Sequence, residues 1–588
     1  MTKPSETTPE KSAADPADPA KKSAAADPAD SAKKAAADPA DSAKKAAADP
    51  ADSAKKAAAD PADPAKKAAA DPADSVEKFA AADPAPHERA PHAGRGALAI
   101  AGAKIWFIVT SYAVQLALPN LLADAAEFGL YRGTMSLVSV LNNVMIVATL
   151  QAVSKHVSED EPSTPALLRQ ALRIQLVTGG LLAAVLFFGA QPLARFFVDA
   201  SLEGPVRIAS GVLFFNALYG ALVGTLNGRR RFLAQASLDA TFSTLRTAGI
   251  VGGAVLFASA YASLGGWAIS VASITALAFL LLRRDLFARG GEPIPVRRWL
   301  GFMAPLWLTQ VFLNGMLLLD VQVLKKTLGE IGLANGLPAA EAADAASAQV
   351  GYYGAAQTFA LVPYQLLLSL TFIVFPMISR AIAAGENDVA RTTLRNAMRI
   401  SLLALLAIAA PVVGASDGVM RIAYREEYLV GAPALAILVI GVVFFTLFVL
   451  CSTALSSAGR PGLAAGISAV GVVVVLVAGT LLVNASGGGP AALPAMALAT
   501  SLGMTIAFVL SGIAVWLRFR ALLPWLSVVR ALVAAALAAT VAHFVPHATR
   551  FTALAALAAG FVVYLVALFA LREVRPSELA ALRRRRAS

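Results

Sequence analysis

From about residue 97 onward, apolar runs alternate with short polar breaks, and each run is long enough to cross a bilayer as a helix. A spanning helix needs about 20 predominantly apolar residues at a rise of about 1.5 Å each. The runs at 97–119, 133–152, 172–190, 206–226, 236–257 and 261–282 meet that requirement. A second series follows at 300–323, 352–378, 396–415, 433–456, 463–483, 490–516, 524–545 and 551–571. The pattern predicts an all-α polytopic membrane protein of about 14 transmembrane helices.

Composition agrees with this reading: mean hydropathy is +0.64 and charged residues make up 15% of the chain, against about 25% in a soluble domain. The formal charge of +12 does not point to nucleic acid, because the basic residues sit as loop anchors and form no patch with interleaved aromatics. They fall on every second loop, as at Arg229–Arg231, Arg283, Arg284, Arg289, Arg297, Arg298 and Arg391–Arg399. The intervening loops hold fewer: Arg132, Arg195, Arg207, Lys325, Lys326, Arg421, Arg425 and Arg550. Such asymmetry places both termini in the cytoplasm. Cys451 is the single cysteine and the five histidines are scattered, so neither a disulfide nor a metal centre is expected. A Walker loop is missing too, and no cofactor is expected.

The first 96 residues are a different polymer, in which DPADSAKKAAA recurs at Asp27, Asp38 and Asp49, with a variant at Asp60. Alanine and lysine favour helix, but each unit carries Asp-Pro, and an interior proline costs about 3 kcal/mol. The reading is a disordered Ala/Lys/Asp/Pro tail acting as a flexible tether, with no apolar h-region of a cleavable signal.

The membrane region contains itself twice. EFGLYRGTMSLVSVLNN follows the first run, and VGYYGAAQTFALVPYQLLLSL follows the seventh, so Gly129 with Tyr131 matches Gly351 with Tyr353. Ser154-Lys155 matches Ser379-Arg380, and Asn227-Gly228-Arg229 matches Ala458-Gly459-Arg460. Three matches in the same order indicate duplication of a six-helix unit. The expected organisation is a tail at 1–96, an N-terminal six-helix lobe at 97–284, a C-terminal six-helix lobe at 285–518, two additional helices at 519–571 and a basic tail at 572–588. Two parallel repeats are related by a pseudo-two-fold axis along the membrane normal.

These residues resemble the polysaccharide and lipid-linked oligosaccharide flippases of the multidrug/oligosaccharidyl-lipid/polysaccharide exporter superfamily over about residues 97–571. The resemblance rests on EFGLY, on NGRRRF at 227–232, on the YGAAQ and FPMISRA ends of 350–381, and on YREEYLVGAPAL at 424–435. It implies two lobes that carry a lipid-linked oligosaccharide, usually on undecaprenyl diphosphate, across the bacterial inner membrane by alternating access, for polysaccharide biosynthesis. Membrane lipids, and a polysaccharide polymerase or glycosyltransferases, are the implied partners. The chain departs from lipid II flippases, which carry several arginines in their first two spans, where this one has Lys104 and, at an outer edge, Arg132.

Ionisable groups within spans are costly and mark candidate sites: Lys104, Asp239, Arg246 and Asp320. Arg246 lies near mid-span, where it cannot snorkel, and is the leading candidate for a cavity cation that binds substrate, with Lys104 second. The structural alternative for Arg246 is an ion pair. Asp320 and Asp239 are candidates for a coupling ion, with salt bridges to Lys325 or Lys326 and to the Arg229–Arg231 cluster as the alternatives. Gln115, Asn142, Asn143 and Gln365 add polarity. Gln310 with Asn314, and Gln357 with Tyr364, have spacings that share a helix face and serve as candidate sugar contacts.

Three rivals remain at this stage. A cation-coupled multidrug exporter wants an acidic residue in an aromatic cavity. A membrane glycosyltransferase or polymerase wants catalytic carboxylates on a large loop, whereas the longest internal loop expected, 329–349, is mostly Ala and Gly. A scaffold would use the tail to recruit partners. The preferred reading is a transporter and not an enzyme.

Overall fold

The computed structural model describes residues 92–573, apart from Leu522. The repeat tail and the arginines at 583–586 lie outside the described residues. Within the described residues there are helices and no strands. In chain order they are α1 (His92–Leu121), α2 (Ala125–Glu159), α3 (Thr164–Phe188), short α4 (Ala190–Phe196), α5 (Glu203–Gly228), α6 (Phe232–Phe257), α7 (Ala260–Phe287) and α8 (Val296–Ala334). Then come α9 (Ala339–Ala360), α10 (Val362–Ala383), α11 (Asn387–Gly414), short α12 (Ser416–Ala423), α13 (Ala432–Ser457), α14 (Pro461–Ala485), α15 (Ala492–Phe519), α16 (Trp525–Phe544) and α17 (Arg550–Ala570). Thirteen candidate spans have the length and hydropathy to cross a membrane. The eighth place in the order belongs to α9 and α10, which are broken at Leu361 just before Pro363.

The loop expected at 329–349 is almost entirely helical. α8 runs on to Ala334 and α9 begins at Ala339, leaving a connection of 335–338. The Ala-rich composition that read as a loop is itself strongly helix-forming, and Pro338 sits at the N-cap of α9, where its missing N–H costs little.

The duplication is written in the packing. In the first lobe α1 packs on α6, α2 and α3 on α5, and α7 on both α5 and α6. The second lobe repeats this six spans on: α8 packs on α14, α9, α10 and α11 on α13, and α15 on both α13 and α14. The two remaining helices, α16 and α17, pack on each other and on α11. The fold is therefore two six-helix lobes related by a pseudo-two-fold, plus two C-terminal helices.

Small residues make the closest crossings. Gly220, Gly224 and Gly228 form one face of α5 that lies on Ile146, Leu150 and Ser154 of α2. There the Ser154 hydroxyl donates to Asn227 Oδ1 at 2.7 Å, so two of the duplicated sequence marks meet in space. Small-residue faces let backbones approach where helices cannot be driven together by a hydrophobic effect.

α8 belongs to both lobes. Trp299 and Met303 near its start are buried against Ala152, Val157, Leu167 and Ala221 of the first lobe. Further along, Gly315, Met316 and Val323 pack on Val472, Gly471 and Gly479 of α14. Pro305 lies between these two attachments and lowers the cost of bending there.

Candidate substrate and coupling site

The duplicated glycines, Gly129 near the start of α2 and Gly351 in the middle of α9, meet where the two lobes touch. A Cβ on Gly129 would collide with the carbonyl of Ser347, and one on Gly351 would collide with the carbonyl of Ala125. Each glycine thus meets the carbonyl four residues before the other, as a two-fold relation requires. One turn on, Gly354 leaves room for the aliphatic stem of Arg132.

Arg132, expected at an outer loop, is inside α2 and buried. Its guanidinium donates to Gln115 Oε1 on α1 at 3.2 Å and to Gln357 Oε1 on α9 at 2.5 Å. The Gln357 amide in turn donates to Asp320 Oδ1 and Oδ2 on α8 at 3.3 and 3.1 Å, and to the carbonyl of Leu317 at 3.0 Å. Asp320 also accepts from Tyr353 Oη at 2.8 Å and Thr500 Oγ1 at 3.3 Å, and its carboxylate is fully buried. One amide therefore joins a cation of the first lobe to an acid of the second.

The salt bridges weighed for Asp320 and Asp239 are absent among the described residues. Lys325 instead pairs with Asp199 at 2.6 Å and donates to Ser347 at 2.8 Å, with both members of the pair buried. Lys326 pairs with Glu330. Four residues separate Asp320 from a lysine that the helix turns towards the α4–α5 connection, where Asp199 is waiting. Asp239 accepts from Tyr219 Oη at 3.1 Å and lies in the field of Lys104, while Arg229 and Arg231 pair with Asp285.

Arg246 is partly buried on α6. It donates to Ser111 Oγ at 2.5 Å and stacks 4.5 Å from the ring centre of Phe107, both on α1. Its Nε has no hydrogen-bond partner, and no carboxylate pairs with it among the described residues. Lys104 is exposed on α1, beside Ile105, Trp106 and Phe107, which are exposed too. The α1–α6 face thus shows cations among apolar side chains.

Gln310 and Asn314 come together as their spacing predicts: the Asn314 amide donates to Gln310 O at 2.8 Å, while its Oδ1 accepts from Asn143 of the first lobe at 2.9 Å. Gln322 bonds Gly133 O and Ser136 Oγ of α2. Gln357 and Tyr364 part company. The break at Leu361 interrupts the regular turn between them, and Tyr364 packs edge-on to Phe445 at 5.2 Å between ring centres.

Arg132, Tyr353 and Thr500 went unread as site residues. YGAAQ is intelligible in retrospect: Tyr353 and Gln357 hold Asp320, and Gly354 admits Arg132. EFGLYR works in the same way. Glu127 Oε2 accepts from the Ala260 N–H at 2.6 Å, Gly129 makes the crossing and Arg132 enters the network. Thr500 lies 180 residues from Asp320, and no local signal marks it.

Residues 121–284 match the family model described as polysaccharide biosynthesis protein. The chain is 26% identical over 333 residues to the uncharacterized membrane protein YabM of Bacillus subtilis (strain 168), an alignment covering 53% of this chain and 60% of that protein. The chain thus spans three fifths of the length of the curated relative it matches. Among solved structures, the inward closed conformation of the lipid II flippase MurJ aligns with a TM-score of 0.61 at 16% identity, covering 80% of this chain and 99% of that one. An inward-facing multidrug resistance MATE transporter of the MOP superfamily aligns at 0.57 and 13% identity, over 70% and 94% of the two chains. An outward-facing one aligns at 0.52 and 12% identity, over 73% and 96%. These likenesses show the fold that this chain shares with MurJ and the MATE transporters.

Proposed function

We propose that this chain moves a lipid-linked oligosaccharide, carried on a polyprenyl diphosphate of the undecaprenyl type, across the bacterial inner membrane by alternating access of its two lobes. The arginine-rich loops and both termini face the cytoplasm. The observation that carries this reading is Arg246: a cation within a span, stacked on Phe107, with Nε unpartnered and no carboxylate beside it. Such a charge is expensive in a membrane unless an anion completes it. A diphosphate is that anion, and Arg offers it a bidentate fork. Lys104 and the apolar face of α1 add a second charge and a surface on which the polyprenyl chain stays in contact with lipid. The match of 121–284 to a polysaccharide-biosynthesis family supports a glycan cargo over a drug.

The polar contacts between lobes supply the coupling. Asp320 accepts from three side chains and has no cation in direct contact among the described residues, so a proton or small cation arriving there competes with the Gln357 amide, whose carbonyl holds Arg132. Neutralising Asp320 loosens that bridge, and the end of the molecule closed by Gly129 and Gly351 opens.

Glycan export normalised to folded protein in the membrane tests the reading. Arg246→Ala is expected to abolish export at normal abundance, and Arg246→Lys to keep part of it. Full normalised export by Arg246→Ala removes Arg246 from the substrate site, leaving Lys104 as the next cation to test.

A further inference from the structure

A cavity of about 700 Å³ lies between α3 and the start of α8, away from the network between the lobes. Arg169, Arg173, Ile174, Val177, Val296 and Leu300 are among the residues lining it. Its floor is fixed. Arg169 donates to the carbonyls of Leu286 at 3.0 Å and Ala288 at 2.6 Å, and Gln170 clasps Ile294 through both its N–H and its C=O. Gln170 Oε1 also accepts from Trp299 Nε1 at 3.0 Å. The segment joining the lobes is thereby pinned to α3.

The wall is divided by chemistry. Arg173 is exposed and makes no hydrogen bond or ion pair among the described residues, and it stands where the apolar run of α3 begins. From Arg169 to Val177 is eight residues, a rise of about 12 Å, so charge at one end gives way to hydrocarbon at the other. Val177 then continues into Leu181, Val185 and Phe188, an exposed stripe at near-helical spacing that faces lipid. A cation at headgroup depth above an apolar groove open to the acyl region is complementary to an anionic amphiphile with its chain parallel to α3. It suits neither a soluble anion, which has no use for the groove, nor a zwitterion, which brings no net charge.

We infer that this cavity binds one anionic glycerophospholipid of the cytoplasmic leaflet, its phosphate on Arg173 and an acyl chain along Ile174, Val177 and Leu300. The lipid lies between the first lobe and the half of α8 that carries Trp299, and so braces α8 against that lobe. The inference takes its leaflet from the proposed orientation and is independent of what Arg246 binds.

The test is native mass spectrometry of the full chain in detergent, titrated with phosphatidylglycerol, phosphatidylcholine of the same chains, or inorganic phosphate. The expected result is about one phosphatidylglycerol retained per chain, at least tenfold tighter than phosphatidylcholine, with phosphate unable to displace it. Arg173→Ala should weaken binding about tenfold, the loss of one charge-assisted contact. Val177→Trp, which fills the groove at an exposed position, should weaken it as much while leaving thermal stability without lipid unchanged. Wild-type binding by both variants, or equal retention of phosphatidylcholine, overturns the assignment. Displacement by phosphate also overturns it, by showing a simple anion site. None of these measurements depends on glycan export, so failure here leaves the flippase reading to stand or fall on Arg246.

Discussion

Gly129 of α2 and Gly351 of α9 face each other across the two lobes, each fitted against the carbonyl four residues before the other, Ser347 and Ala125. Neither helix has a free direction in which to place a side chain. If this crossing is the closed gate, enlarging it should hold the gate open. Cys451 is the chain's single cysteine and is buried, so a Cys451→Ala background leaves Ser347→Cys as one reporter. Gly129→Leu in that background should speed maleimide labelling of residue 347 by about tenfold or more, corresponding to roughly 1.4 kcal/mol in the closed-to-open balance. An unchanged rate in folded protein would show that the crossing is packing and not a gate.

The buried Lys325–Asp199 pair ties the α4–α5 connection to α8 at 2.6 Å. Removing one member of such a pair leaves an uncompensated charge and costs about 3–5 kcal/mol, whereas apolar replacement of both is often near neutral. Lys325→Met alone should lower thermal stability in detergent sharply, and Lys325→Met with Asp199→Leu should recover most of the loss. A double-mutant cycle with no coupling would mean that the two charges are each solvated elsewhere.

Glu573 closes the far end of α17 onto two other helices. Burial alone would raise its carboxyl, but hydrogen bonds from Ser527, Arg399 and Arg530 hold it below the usual carboxylate range. A folded-state value below the unfolded one gives stability that is complete above the unfolded value, about 4.3 for Glu, and is lost as pH falls through the folded value. Glu573→Gln should therefore be less stable than the wild type at neutral pH, by about 1–3 kcal/mol. The difference should shrink as pH drops below about 4. A gap that stays constant down to pH 3 would assign the effect to shape and not to charge.

Orientation follows from which loops carry arginine. Reporters inserted at Arg230, Arg289 and Gly385 should read cytoplasmic, and one at Gly336, in the short α8–α9 connection, should read external. Residues 341–347, part of the loop expected at 329–349, are inside α9 and would not report cleanly. An external signal at Arg289 would break the parallel relation of the two lobes.

Span number, duplication and the two-lobed helical fold were legible in the chain itself, because transfer of about 20 apolar residues into lipid is decided locally and leaves its period in the sequence. The Gly-x-Tyr openings and the Ser154 and Asn227 marks were legible too, and they proved to be points where backbones touch. What those contacts enclose was not. Arg132, Asp320, Gln357 and Thr500 come from four helices spread over most of the membrane region, and each read alone offers several partners at equal cost. Lys325 shows the reason most plainly. It lies five residues from Asp320 on the same helix, yet pairs with Asp199 because five residues is 500° of helical rotation, and the face it reaches belongs to the other lobe. Hydropathy selects the helices, whereas the choice among buried polar partners is made only when two helix faces from distant parts of the chain close on each other and exclude both lipid and water.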